Sequence, residues 1–139
     1  MRINFKRVLL GGLIAGLILN LGEALLNEVF LVEQMEETAR RLHIERPGSA
    51  FIAVAALLTL ALGIMIVLLY ALIKVRVGAG LKSAVLAGVI VWFTVYVYTG
   101  ILTGIAIALS PMLIVAGIGW GLVEYVLAAI VGSAFYKEA

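Results

Sequence analysis

Cysteine and aspartate are absent, histidine occurs once, and proline occurs twice in 139 residues. Without cysteine there is no disulfide, thiol nucleophile, Fe–S cluster or cysteine-based zinc site. With His43 as the lone histidine, intramembrane haem or chlorin ligation by histidine is excluded. So is a di-iron site built on Glu-x-x-His pairs. Charge is scarce too: 13% of residues are charged, against about 25% in an ordinary soluble domain. What fills the chain instead is apolar, 65% hydrophobic with a mean hydropathy of +1.22. That excludes a water-soluble globular domain. The length allows one domain, and four membrane passes of about 20 residues each use most of it.

The N-terminal Arg2, Lys6 and Arg7 precede an apolar run interrupted by Asn20, Glu23, Asn27 and Glu28. The run is too long for a signal peptide and lacks an A-x-A-like cleavage site, so it reads as a retained first span over 8–32. Segment 33–49 is the one clearly polar stretch. Met35, Ala39 and Leu42 recur there at helical spacing, which predicts an amphipathic extension near the membrane surface. Glu36→Arg40 and Glu37→Arg41 have the favourable i,i+4 order. Pro47-Gly48 ends the extension and Ser49 can cap the next helix. The extension reads as a solvated connector or as a docking surface for a partner. Spans two to four follow over 50–73, 81–107 and 111–135. Gly78-Ala79-Gly80 marks the turn between the second and third, and Ser110-Pro111 starts the fourth.

Basic residues set the expected orientation. Arg2, Lys6, Arg7, Lys74, Arg76, Lys82 and Lys137 fall on one side, and Arg40, Arg41 and Arg46 on the other. The positive-inside rule then places both termini in the cytoplasm. The positive balance therefore reports topology, and no nucleic-acid partner is expected. Phe5, Tyr70, Phe135 and Tyr136 suit an aromatic belt at the inner interface, and Phe30 and Phe51 at the outer one. The fold expected is an all-α integral membrane four-helix bundle, in the cell membrane of a prokaryote.

Lipid is as apolar as leucine, so small residues must bring such helices together. Gly12 and Gly16, Gly100 and Gly104, and Gly117 and Gly121 each have the small-x3-small spacing, as does Ala55-x3-Thr59-x3-Gly63. These are candidate helix-packing faces, within the bundle or between copies.

Polar residues extend two of these faces. On the first span Gly12, Gly16, Asn20, Glu23 and Asn27 form one stripe. On the fourth, Gly117, Gly121, Glu124, Ala128 and Gly132 do the same. A charge at the bilayer centre costs at least about 2.5–3.5 kcal/mol, so both stripes should face protein. Glu23 and Glu124 lie within about 5 Å in depth, which allows the stripes to pack together. A local echo, Ala15-Gly16-x6-Glu23 against Ala116-Gly117-x6-Glu124, does not establish a repeat. Two carboxylates meeting in low dielectric cannot both stay ionised without a cation. The candidate site is therefore Asn20, Glu23, Asn27 and Glu124, acting as structural glue, as a proton relay or as a cation site. Trp92, Tyr96, Tyr98 and Trp120 are candidate pocket aromatics, since aromatic faces beside a carboxylate suit an organic cation. Trp92 and Tyr96 share a face that continues through Thr99 and Thr103. Glu28 lies nearer the outer surface on another face.

Two functions follow as expectations. The first is a non-catalytic subunit or interaction partner of a membrane assembly, bound to itself or to other membrane subunits. The second is a small proton- or cation-coupled transporter using Glu23 and Glu124. In size, span number and membrane glutamates the chain is similar in architecture to the small multidrug resistance transporters. No family motif matches residue by residue, and segment 33–49 is foreign to that pattern. No Ser/His, Asp/Asp or metal-ligand constellation is visible, so neither an enzyme nor a metal or other cofactor is expected.

Overall fold

The computed structural model describes residues 3–138. Helix α1 (Phe5–Leu25) begins at Asn4, whose side chain accepts from Arg7 N, and runs directly into a π-helical turn (Leu26–Phe30). After a break at Leu31 come α2 (Val32–Leu42) and α3 (Ser49–Val77). Helix α4 (Leu81–Trp92), a second π turn (Phe93–Tyr98) and α5 (Thr99–Ala106) form one continuous rod. Helix α6 (Pro111–Ala134) ends the fold, with Ser110 Oγ accepting from Leu113 N at 3.3 Å. Among the described residues there is no strand. Four stretches are long and apolar enough to cross a membrane: Phe5–Phe30, Ser49–Val77, Leu81–Ala106 and Pro111–Ala134. The second runs on to Val77, so Lys74 and Arg76 stand on its last turn, where cations suit the helix dipole.

Close approaches of small residues fix how the rods pack. Gly12 lies on Ile64 and Gly16 on Leu60, while Gly63 sits on the α1 backbone between Gly12 and Gly16. Numbers rise on α1 as they fall on α3, so the two are antiparallel. Gly11 meets Gly132 and Gly22 meets Glu124, which makes α1 antiparallel to α6 as well. Gly88 lies on Tyr125 and Ala129, joining α4 to α6. The rods therefore form a ring in the order α1, α3, α4–α5, α6. Residues 3–4, the 78–80 turn and 135–138 share one end, called here the terminal end, and α2 and the 107–110 turn share the far end. Lys6, Arg7, Lys74, Arg76, Lys82 and Lys137 gather at the terminal end; Arg2 lies outside the described residues. Ala15, Leu19, Ile66, Val67, Ala87, Tyr125, Ala128 and Ala129 are buried between the rods.

Several local expectations are corrected. The first-span stripe does not face α6 as a unit. Gly12, Gly16 and Asn20 turn to α3, and the face on α6 is Gly11, Ala15 and Gly22. Steps of four each advance about 40° and the step of three from Asn20 to Glu23 turns back about 60°, so the stripe covers about 80° of the helix and is wide enough to border two neighbours. The fourth-span stripe divides likewise: Gly117 and Gly121 face Tyr96, whereas Glu124 and Gly132 face α1. Gly104 packs on Ile114, but Gly100 has nothing within 4 Å of where a Cβ would be and joins no packing face within the bundle. The pairs Glu36–Arg40 and Glu37–Arg41 do not form. Arg40 binds Glu37 at 2.7 Å, and Arg46 reaches back to Glu36 at 2.7 Å. Arg41 instead donates to the Ile107 carbonyl at 3.2 Å, at the end of α5, where a helix leaves carbonyls unpaired. Glu36 becomes available to Arg46 because α2 closes on a left-handed His43, with Ile44 N donating to Ala39 O and His43 N to Arg40 O. Tyr70 and Tyr136 are buried against each other at the terminal end.

Candidate functional site

Glu23 comes from the last turn of α1, Glu124 from the middle of α6, and Tyr96 from the π turn of the third span. The Tyr96 hydroxyl donates to Glu23 Oε1 and lies 3.4 Å from Glu124 Oε1. Asn27 Nδ2, on the other π turn, donates to Glu23 Oε2 at 3.2 Å and to the Glu23 carbonyl at 2.9 Å. Trp120 Nε1 donates to Glu124 Oε2 at 3.0 Å and to the Gly22 carbonyl at 3.1 Å, tying α6 to α1. Each carboxylate oxygen thus has a polar group within hydrogen-bond distance, and the one phenol proton can go to only one of the two Oε1 atoms at a time. Glu124 is buried and Glu23 half-buried.

Local sequence explains why the groups fit. Gly22 leaves room for the Glu124 carboxyl; a Cβ there would lie 3.1 Å from its Cδ. Gly121 leaves room for the Tyr96 ring, which a Cβ would meet at 2.5 Å. Tyr125 packs edge-on to Tyr96 with ring centroids 5.6 Å apart, and Phe30 lies over Trp120 at 5.2 Å. A π turn holds one residue more than an α turn and is often found where a helix must aim side chains at a site. Here Asn27 and Tyr96 both sit on such turns.

Other candidate residues lie elsewhere. Asn20 donates to Gly16 O at 3.0 Å and across to Ala56 O at 3.2 Å, so its amide ties α1 to α3. Trp92 Nε1 donates to Ile118 O at 2.9 Å and clamps α4 to α6. Tyr98 is 63% exposed and points away from the cluster. Thr99 and Thr103 are also exposed, and Thr99 Oγ1 bonds the Thr94 carbonyl five residues back. The π turn has shifted the phase of the rod, so the face shared by Trp92 and Tyr96 does not continue through the threonines. Glu28 is exposed, off the cluster face. Gly22 and Tyr125 belong to the site surroundings without having been singled out from sequence, and Phe30, read there as an outer-belt aromatic, packs on Trp120. The adjacency of Gly22 to Glu23 is the one signal that pointed to them; nothing marked the π turns.

Chemically, the cluster offers two carboxylates and a phenol that can pass a proton between them. The same oxygens suit one small cation. Among the described residues no third carboxylate or histidine joins to make a multidentate metal site. No family model, curated protein or solved structure matches the chain.

Proposed function

We propose that the chain is a small integral membrane protein that carries a proton, or a small cation in its place, on Glu23, Tyr96 and Glu124. The observation behind this reading is the single phenol hydrogen-bonded to both carboxylates, one buried and the other half-buried. Two such carboxylates in a low dielectric hold a proton or a cation between them. Glu23 is the more accessible group and exchanges first; Tyr96 relays to Glu124. Asn27 and Tyr96 both sit on π turns, a feature frequent at functional sites. The clustering of basic residues at the terminal end supports a cytoplasmic location for both termini, in a prokaryotic cell membrane.

The test is proton flux into vesicles carrying the purified protein and an internal pH dye, driven by an imposed potential. Flux is expected for the native chain and is lost in Glu124→Gln and in Glu23→Gln, with unchanged helix content. Native flux equal to that of empty vesicles, or unchanged flux in both variants, rejects the reading.

A second reading has its own support. The cluster is internally satisfied, as structural glue would be. Moreover, Phe51, Ile52, Leu57 and Leu58 of α3 and Ile101, Leu102 and Ile105 of α5 are exposed. These flanks would suit a non-catalytic subunit packed against other membrane helices or against a second copy. Native mass after gentle extraction from its own membrane tests this. A stoichiometric assembly supports a subunit; a free monomer argues against it.

A further inference from the structure

Away from the carboxylates, the terminal end holds a second polar group of a different kind. Ser133 on the last turn of α6 and Tyr136 just beyond it are more than nine-tenths buried. Neither Ser133 Oγ nor the Tyr136 phenol has a hydrogen-bond partner among the described residues. Other helical hydroxyls here behave differently. Thr38, Thr59 and Thr94 each bond the carbonyl four residues back, at 2.8, 2.8 and 3.1 Å. Ser83, fully buried nearby on α4, donates to the Gly78 carbonyl at 2.5 Å. Ser133 is buried more deeply than any of the three threonines and leaves that local option unused.

We infer that the terminal end of the bundle binds ordered water at Ser133 Oγ and the Tyr136 hydroxyl. Buried polar atoms in folded proteins are almost always paired, and internal water is the usual partner when protein groups are not. The chemistry selects water over an ion. Each hydroxyl offers one proton and two lone pairs, and water answers both roles. The Lys74 ammonium already takes the cation position over the Tyr136 ring, 4.8 Å from its centroid, and its pairing with Glu138 at 2.9 Å leaves no unmatched positive charge to hold an anion. The Tyr136 ring is held edge-on to Tyr70 at 6.0 Å, so the phenol is positioned and not free to swing out. Nine residues of α6, about 13.5 Å of helix, separate Ser133 from Glu124. Ala128, Ala129 and Gly132 are packed tight between them. This water is therefore separate from the carboxylate cluster, and the inference does not depend on the proton reading.

The test is water-edited solid-state NMR on the labelled full chain in lipid bilayers. Magnetisation is expected to pass from water to Ser133 and Tyr136 as fast as to exposed Lys137, while Ala128 and Ala129 stay dry. Dry signals at either hydroxyl overturn the inference. Ser133→Ala gives a second readout in the sign of its stability effect. A hydroxyl holding water loses a bond on removal, so Tm falls. A hydroxyl that is simply unpaired costs energy, so its removal raises Tm and overturns the assignment.

Discussion

Near the terminal end, Gly11 and Gly132 bring the backbones of α1 and α6 into contact; near the far end, Gly100 on α5 faces open space. The same residue type does opposite things in the two halves. In the terminal half, glycines and alanines form seams with Val67 and Tyr125 filling between them. Large apolar side chains are exposed in both halves, but the far half lacks such a seam at Gly100, and both π turns occur there or at its border. In lipid, bare burial of leucine gains little, so close contact of small residues decides where helices adhere. The carboxylate cluster lies at the boundary, anchored to the tight half through α6 and to the loose half through Tyr96.

The sharpest way to break this contrast is Gly132→Val. Its Cβ would fall 2.7 Å from Gly11 O, 2.8 Å from Ala15 Cβ and 3.0 Å from Val67 Cγ2. Backbone cannot yield as a flexible side chain does, so a loss of at least about 1–3 kcal/mol is expected. Thermal unfolding in detergent should show a large fall in Tm or no folded protein. An effect as small as that of a surface change would mean the seam is not what holds the bundle.

At the boundary, Tyr96→Phe keeps the ring against Gly121 and Tyr125 but removes the shared donor. Glu23 Oε1 loses its donor and Glu124 Oε1 a polar neighbour, which costs about 1–3 kcal/mol. Because Asn27 and Trp120 still hold the other oxygens, the lower part of that range is expected, with helix content unchanged. Denaturant titration against the native chain checks it. A stability gain would show that the phenol strains the site.

The smallest effect belongs to the far half. Gly100→Ala meets nothing and relieves the entropy that glycine costs in a helix, so it should be neutral or stabilise by up to about 1 kcal/mol. A marked destabilisation would mean that this face packs on another helix in the membrane, and would move weight to the subunit reading.

The four long helices were legible because apolar runs are bounded by strong punctuation, Pro47-Gly48, Gly78-Ala79-Gly80 and Ser110-Pro111. The partners of each face were less so. Spacing groups residues into a stripe, but a stripe about 80° wide can border two neighbours, as Gly121 on Tyr96 and Gly132 on α1 show. Glu23, Asn27, Glu124, Tyr96 and Trp120 were marked by the oddity of polar and aromatic groups among small residues. That one phenol reaches both carboxylates was hidden, because a π turn leaves no signature in composition or period. The ion pairs of α2 were misread for a related reason. Spacing shows which charges are neighbours on a helix, not which will be drawn to a chain that folds back, as Arg46 is to Glu36.

Trp120 also makes the molecule its own optical gauge. The chain has two tryptophans, and the indole of one is bonded to a Glu124 oxygen while the other, Trp92, is bonded to a backbone carbonyl. With Trp92→Phe a single emitter remains, and its colour depends on the field of the carboxylate beside it. Neutralising or loading that carboxylate would shift the emission without any label, so events at the cluster can be followed in real time with the purified chain in reconstituted bilayers.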